Sequence, residues 1–323
     1  MNPAIRTTAD LIHRSHHILL LVHQEPDGDT LASSLALAAV LKTMGKHVEV
    51  AGKDPVPVVF QFLPGASTVT RDFLLADFEL ILVIDCGDLK RTGFPDRLRQ
   101  FAATKRRLIN IDHHPKSDLY KIANINFADT SVAAAAELVL QLIDALGGRM
   151  TADIATCLLT AIYTDTGGFR HVNTTPNTLR LAARLLNEGA RLKLITNNLM
   201  NSKSVASLKL LGLVLSRVKR LRKFGVVSSF VTRRDFRALG ATHTDLAGAV
   251  NLIGQTPGTK ASILFTELDD GKIKASIRTE HDRVDVSSFA TIFGGGGHKR
   301  ASGFLLDGRF IKRGRKYEID LTE

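Results

Sequence analysis

Three aliphatic segments of this chain each run directly into a cluster of acidic or imidazole groups, and that recurrence constrains the fold more than any other feature. "HHILLLVH" (16–23) is followed by Asp27 and Asp29, "ELILVIDCGD" (79–88) carries Asp85, and "RRLINIDHHP" (106–115) ends in Asp112, His113 and His114. A fourth group, Asp165 in "AIYTDTGGF" (161–169), closes an apolar helical run. Continuous apolar runs of this length read as strands buried on both faces, and "HVEVAG" (47–52) adds another. Helical patterns over 131–146, 151–163 and 176–188 alternate with them. Strand–helix alternation predicts an α/β domain: a parallel sheet covered by helices on both faces. Ligands of such sheets bind beyond the carboxyl ends of the strands. The topology is therefore expected to gather His23, Asp27, Asp29, Asp85, Asp112, His113, His114 and Asp165 at one edge.

Taken singly, each group has a plain structural reading. Asp29 before "TLASSLAL" suits a helix N-cap, His23 a strand-end histidine satisfied by the backbone, and Asp85 and Asp165 suit turns. Together these readings must all hold at once, at the ends of successive apolar segments. Burying Asp-His-His after an aliphatic strand without a purpose is costly. Several carboxylates and imidazoles at one edge repel one another unless a cation intervenes. Oxygen and nitrogen ligands without thiolates suit Mn²⁺ best, with Mg²⁺, Fe²⁺, Co²⁺ or Zn²⁺ less decisively matched. There are ligands enough for two metals sharing a carboxylate, the usual arrangement for hydrolysing phosphate esters.

Composition limits the alternatives. The 323 residues suffice for two domains, and a 44% hydrophobic content supports sizeable cores. No aliphatic run reaches the length of a bilayer span, and "MNPAIRTTADLIHRSHH" lacks a secretory pattern. Cys86 and Cys157 form neither a disulfide framework nor a thiolate zinc site by themselves. The chain is thus expected to be soluble and cytoplasmic, with no membrane partner.

The net charge of +11 is uneven: 189–234 holds eleven Lys or Arg and no Asp or Glu. Such a stripe favours polyanions or forms a solvated helix face. With no Trp and three Tyr, extensive base-stacking platforms are not expected.

After residue 223 the pattern changes to strands ("GVVSSFVT", "KASILFTEL", "KIKASIRTE") around a helical stretch near 243–254. The expected layout is a catalytic domain over 1–188, a basic helical linker over 189–223, and a smaller α+β domain over 224–323. "FGGGGHKRASG" (293–303) resembles a phosphate cradle: Gly295, Gly296 and Gly297 allow close backbone approach, and His298, Lys299 and Arg300 add donors. It lacks the endings of a Walker loop or a dinucleotide fingerprint. Arg278 in "ASIRTE" offers a bidentate phosphate contact.

In order, "HQEPDGDTLASS", "VIDCGD", "IDHHP" and "TDTGGF" resemble the four motifs of the DHH phosphoesterases. "SIRT…VDVSSFATIFGGGGHKRASGF" is similar to their associated C-terminal substrate-binding domain. The resemblance spans nearly the whole chain and points to the branch that includes the nanoRNase (oligoribonuclease) and pAp phosphatase.

It implies that His23, Asp27 and Asp85 hold one metal, and that Asp29, Asp85, His113 and Asp165 hold a second, with Asp85 bridging. His114 would face the scissile phosphate and Asp112 would orient the histidines. Arg278, the glycines, His298 and Arg300 would grip substrate. Mn²⁺-dependent hydrolysis of short single-stranded RNA and of pAp follows from the resemblance. Alternatives of the same chemistry are cyclic-di-AMP or pApA hydrolysis and pyro- or polyphosphatase activity. Homodimers are common in this branch. The family's Gly-Ser after the first motif is here Ala32-Ser33, and Ser33 is expected to be structural. Ser131 is expected to be a helix N-cap or a substrate contact. A non-catalytic nucleic-acid-binding copy should have lost a ligand, and none is lost.

Overall fold

The computed structural model describes residues 3–104, 106–200, 204–314 and 316–321. Two compact units divide it, Met1–Ser202 and Lys203–Glu323.

In the first unit, five strands form a wholly parallel sheet: β1 (His17–Leu21), β2 (His47–Ala51), β3 (Leu80–Ile84), β4 (Arg107–Asp112) and β5 (Ile125–Ala128). Their order is β2-β1-β3-β4-β5. Alternate side chains of β1 serve opposite cores. Ile18 and Leu20 join α1 (Pro3–Arg14), α2 (Gly28–Thr43), α5 (Ala135–Ala145) and α6 (Ala152–Asp165), whereas Leu19 and Leu21 face α3 (Pro95–Ala102) and α4 (Asp118–Ile122). Because both faces are covered, β3 is apolar and buried at every position and β1 over residues 18–21, as read from the sequence, whereas β4 also buries Asn110 and Asp112. α2 is buried nearly all round, which explains its lack of a polar stripe. α7 (Pro176–Asn187) and α8 (Leu192–Met200) complete the unit. The short β5, "INFA", is not foreseen because it lacks a long aliphatic run.

The second unit holds α9 (Val205–Ser216) and a mixed sheet of β6 (Lys219–Leu221), β7 (Val226–Val231), β8 (Ala261–Glu267), β9 (Lys272–Arg278), β10 (Gly296–His298), β11 (Ala301–Arg313) and β12 (Lys316–Leu321). The order is β10-β11-β9-β8-β7-β6, with β12 paired to β11. β7 and β8 are parallel, joined through α10 (Arg233–Leu239) and α11 (Ala249–Gly254), and the β8–β9 hairpin turns at Gly271. α9, α10 and α11 cover one face. α12 (Val286–Ile292) covers the other through Val286 and Ala290. The stretch 189–223, read as a connector, contributes Ile195 of α8 to the first unit's core and Leu210 and Val214 of α9 to the second's.

Candidate metal centre

The loop leaving β1 places two of the expected ligands within five residues. Asp27, not Asp29, is the N-cap of α2. Its Oδ1 accepts the Asp29 and Thr30 N–H groups at 3.1 and 3.2 Å. Its Oδ2 lies 3.5 Å from Nε2 of His23, which is fully buried. The His23 Nδ1 sits 2.6 Å from the Gln24 carbonyl, an acceptor only. Nδ1 therefore carries a proton, and Nε2 is the ring nitrogen that faces Asp27.

Asp29 falls in the first turn of α2 and serves another helix. Its Oδ2 accepts the Ala135 N–H at 2.6 Å and its Oδ1 that of Ala136 at 3.1 Å, at the N-terminus of α5. A carboxylate is favoured there by the orphan amides and the helix dipole. Ser33 adds a hydrogen bond to Oδ1 at 2.9 Å, so the expected structural serine positions a site carboxylate. Gly28 makes the approach of α2 to α6 close: a Cβ there would stand 2.8 Å from the Thr164 Cβ, next to Asp165.

Asp85 follows β3 with a left-handed backbone (φ +57°) and is 2% exposed. Its N–H donates to Ile111 O at 2.8 Å, prolonging the β3–β4 pairing, and the positive φ turns the side chain out of the strand. Oδ1 lies 3.2 Å from His113 Nε2 and 3.5 Å from His114 Nδ1, yet is buried without a formed hydrogen bond. Asp112 closes β4 and holds His114 twice through Oδ1, at 3.1 Å to its N–H and 2.8 Å to Nδ1. Asp165 ends α6, its Oδ2 3.8 Å from His113 Nε2. The turn beyond it needs left-handed Gly167, Gly168 and Phe169.

The ligand atoms converge in three overlapping groups: His23, Asp27 and Asp85; Asp85, His113 and His114; and Asp29, His113 and Asp165. Within each group they lie within 4.8 Å of one another. Electrostatics show what this concentration costs. Burial, then the nearby Asp85 and Asp165 charges, push the Asp29 carboxyl well above its usual range. Burial raises Asp165 to about 6 despite the offsetting charge of His113. Burial works against charge on His113, but the nearby carboxylate of Asp85, with the charges of Asp29 and Asp165 behind it, prevails and lifts it to about 10. The Asp112 contact raises His114, and in turn His114 holds Asp112 below its ordinary value against the effect of burial. Protonation is thus how this pocket limits its own repulsion when nothing else is bound. A divalent cation fits better: the donors are oxygen and imidazole nitrogen, and the buried Asp85 Oδ1 lacks a hydrogen bond.

Two neighbours escape sequence reasoning. Arg91 brings Nη2 to 3.5 Å from His23 Nε2, and Asn173 donates to the Asp165 carbonyl at 3.3 Å and to its Oδ2 at 3.5 Å. Arg91 stands in the loop after β3, as strand-end logic allows, whereas nothing in "HVNTTPN" singles out Asn173. Ser131 is not an N-cap: it bonds Asp129 Oδ1, and Ala134 takes the N-cap position of α5.

In the second unit, Arg278 ends β9 and donates Nη1 to the Ile277 carbonyl at 2.8 Å, with burial lowering its pKa from the usual value. Gly296–His298 pair antiparallel with Ala301–Gly303 as a short hairpin. A Cβ on Gly295 would lie 2.2 Å from the Gly303 carbonyl, and one on Gly297 2.6 Å from that of Ala301, so tight pairing alone requires both glycines. Gly296 faces open space and His298 is exposed. Arg300 is engaged by Asp282 at 2.7 Å and Glu280 at 3.6 Å.

The DHH family N-terminal domain model matches residues 17–162 and the DHHA1 domain model residues 225–314. The chain is 35% identical over 293 residues to the bifunctional oligoribonuclease and PAP phosphatase NrnA of Thermus thermophilus, covering 90% of this chain and 84% of that one. It is 27% identical to the Bacillus subtilis protein of the same name, covering 88% of each. The crystal structure of an exopolyphosphatase-related protein from Bacteroides fragilis superposes with a TM-score of 0.87 at 26% identity, over 94% of this chain and 91% of that one. With both domain models matched in order and the Thermus relative similar over most of its length, the chain belongs to the DHH family.

Proposed function

We propose that this chain is a metal-dependent phosphoesterase that hydrolyses short oligoribonucleotides to 5′-mononucleotides and dephosphorylates pAp to AMP. The observation that carries the reading is the buried, overlapping set of carboxylates and imidazoles centred on Asp85. It occurs in a chain similar over most of its length to proteins named for those two activities. His23, Asp27 and Asp85 would hold one divalent cation, and Asp29, Asp85, His113 and Asp165 a second. Mn²⁺ is the best match to that donor set, and Mg²⁺ or Co²⁺ a weaker one. Such a pair supplies Lewis-acid and water-activating chemistry.

The chain's own groups supply the rest. Asp112 fixes Nδ1 of His114, leaving Nε2 to face substrate, and it favours the imidazolium. His114 can then stabilise charge on the phosphate or give a proton to the leaving oxygen. Arg278, His298, Arg300 and the glycine hairpin would bind the nucleotide, the second unit acting as the substrate-binding domain. No helix of the described residues is long and apolar enough to cross a membrane. The reading places the enzyme in the cytoplasm and allows a homodimer.

The test is a substrate panel with Mn²⁺ and an EDTA control, comprising RNAs of two to five nucleotides, a longer RNA, pAp, pApA, cyclic di-AMP and pyrophosphate. Mononucleotides from the shortest RNAs, with phosphate from pAp, are expected. Cleavage of pyrophosphate alone, or of the cyclic dinucleotide and pApA alone, would reassign the substrate, and inactivity throughout would remove the enzyme reading.

A further inference from the structure

The basic run in 189–234 is not absorbed by the metal centre. Among the described residues, ion pairs take up three of these cations: Arg191 with Asp153, Arg217 with Asp235, and Arg233 with Glu267. What remains concentrates at one hairpin. β6 forms the edge of the second unit's sheet and carries Lys219 and Arg220, and the turn into β7 adds Arg222, Lys223 and Phe224. All five are exposed, Phe224 at 62%, with Leu221 between them at 51%. Among the described residues no carboxylate lies within ion-pair distance of the four cations. Lys260, also exposed, packs beside Gly225 at the same turn, its N–H donating to the Gly225 carbonyl at 2.7 Å. Glu280 and Asp282, which follow Thr279 where it bonds the Lys260 carbonyl, are engaged by Arg300.

Charge on an edge strand also discourages edge-to-edge pairing. One or two charges of either sign meet that need without an exposed phenylalanine, whose ring has the Lys223 Nζ 5.7 Å from its centroid. We propose that the β6–β7 hairpin is a binding site for single-stranded nucleic acid, with Lys219, Arg220, Arg222 and Lys223 on successive phosphates and Phe224 under a base. An unpaired basic track with an aromatic face is what sequence-tolerant single-strand binding uses, and two of the four cations are guanidiniums suited to bidentate phosphate contacts. An acidic membrane surface would also attract the cations, but holding a bilayer takes the apolar face of a whole helix or a lipid anchor. Leu221 and Phe224 are two side chains. None of its residues is a metal ligand, and its test needs no hydrolysis.

Full-length protein in EDTA is titrated into a labelled single-stranded RNA of about twelve nucleotides, followed by fluorescence anisotropy over a range of salt. Replacing Lys219, Arg222 and Lys223 together by serine should weaken binding by about tenfold or more. It should also make the log Kd–log salt slope shallower by about 2, at roughly 0.7 for each phosphate no longer neutralised. Arg220 is left in place because it also reaches the Gly258 carbonyl at 3.4 Å. Phe224→Ala should weaken binding about tenfold with the slope unchanged. A charge-preserving Lys219→Arg, Arg222→Lys, Lys223→Arg variant should bind as the parent does. Turnover of a dinucleotide with Mn²⁺ should be the same in all of them. Unchanged RNA affinity and slope in the serine variant would overturn the proposal. So would hairpin-dependent capture on phosphatidylserine vesicles without hairpin-dependent RNA binding, which would reassign the site to a lipid surface.

Discussion

Replacing Asp85 by asparagine tests the metal-centre reading most sharply, because it removes charge while preserving shape. Alanine is the poorer choice: the residue sits at φ +57°, where asparagine is tolerated and alanine adds strain. In the metal-free protein two effects oppose. Losing the Asp85 charge relieves repulsion on Asp29 and Asp165, but it also removes the main partner of His113. The metal-free melting temperature should therefore move by only a few degrees.

With metal the effects no longer cancel, because Asp85 is common to two of the three ligand groups. A cation at about 100 times its Kd stabilises the protein by about 2.7 kcal/mol, so a pair contributes about 5. In a unit of about 200 residues each kcal/mol raises Tm by about 2–4 °C, giving the parent a Mn²⁺-induced rise of roughly 10–20 °C. Asp85→Asn should lose most of that rise, and its turnover of a dinucleotide should drop by about 10³-fold or more. Scanning fluorimetry across a Mn²⁺ titration, read beside product chromatography, measures both. A variant that keeps the parent's Mn²⁺-dependent rise, or turns over within about tenfold of it, would refute the shared-ligand argument.

The metal-free protein should lose stability as pH rises from about 6.5 through 10, by up to a few kcal/mol, because His113 contributes fully below its ordinary pKa and loses that contribution as its raised value is passed. Asp165, raised to about 6, acts in the same direction between about pH 4 and 6, while Mn²⁺ stabilisation should grow with pH; melts in EDTA that stay level or rise across this range would contradict the assignment. His114→Asn should lower kcat by about 10²–10⁴ with KM little changed, and by less for a p-nitrophenyl ester whose leaving group needs no proton; equal losses on both would exclude proton donation. Arg278→Ala and His298→Ala should raise KM by about tenfold or more with kcat largely kept, unequally for pAp and dinucleotides; an unaltered profile would remove both from substrate binding.

Much of the first unit is legible in the sequence because the central parts of β1, β3 and β4 are aliphatic runs that lead into groups apolar surroundings do not explain. Asp85 and the Asp112–His114 run are readable on that contrast alone. Asp29 is not: capping preference points to its own helix, whereas its oxygens bind amides of α5, a partner that sequence spacing does not reveal. Arg91 and Asn173 owe their places to loop paths, which carry no periodicity. In the second unit β8 and β9 are legible in "KASILFTEL" and "KIKASIRTE", but β10 and β12 lack an aliphatic run. The glycine tract reads as an anion cradle, yet close strand pairing already accounts for two of its glycines.

The hydrogen bonds from Ala135 and Ala136 to Asp29 span more than a hundred residues, and the ligand set is not complete until Asp165. A polypeptide growing on the ribosome at about 5–20 residues per second has therefore exposed His23, Asp27 and Asp29 for many seconds before their remaining partners exist. During that interval these side chains are an incomplete ligand set, since each belongs to a group that later residues finish. Tight metal uptake has to wait until α6 has emerged and packed on α2, which makes loading one of the last events in the birth of the first unit.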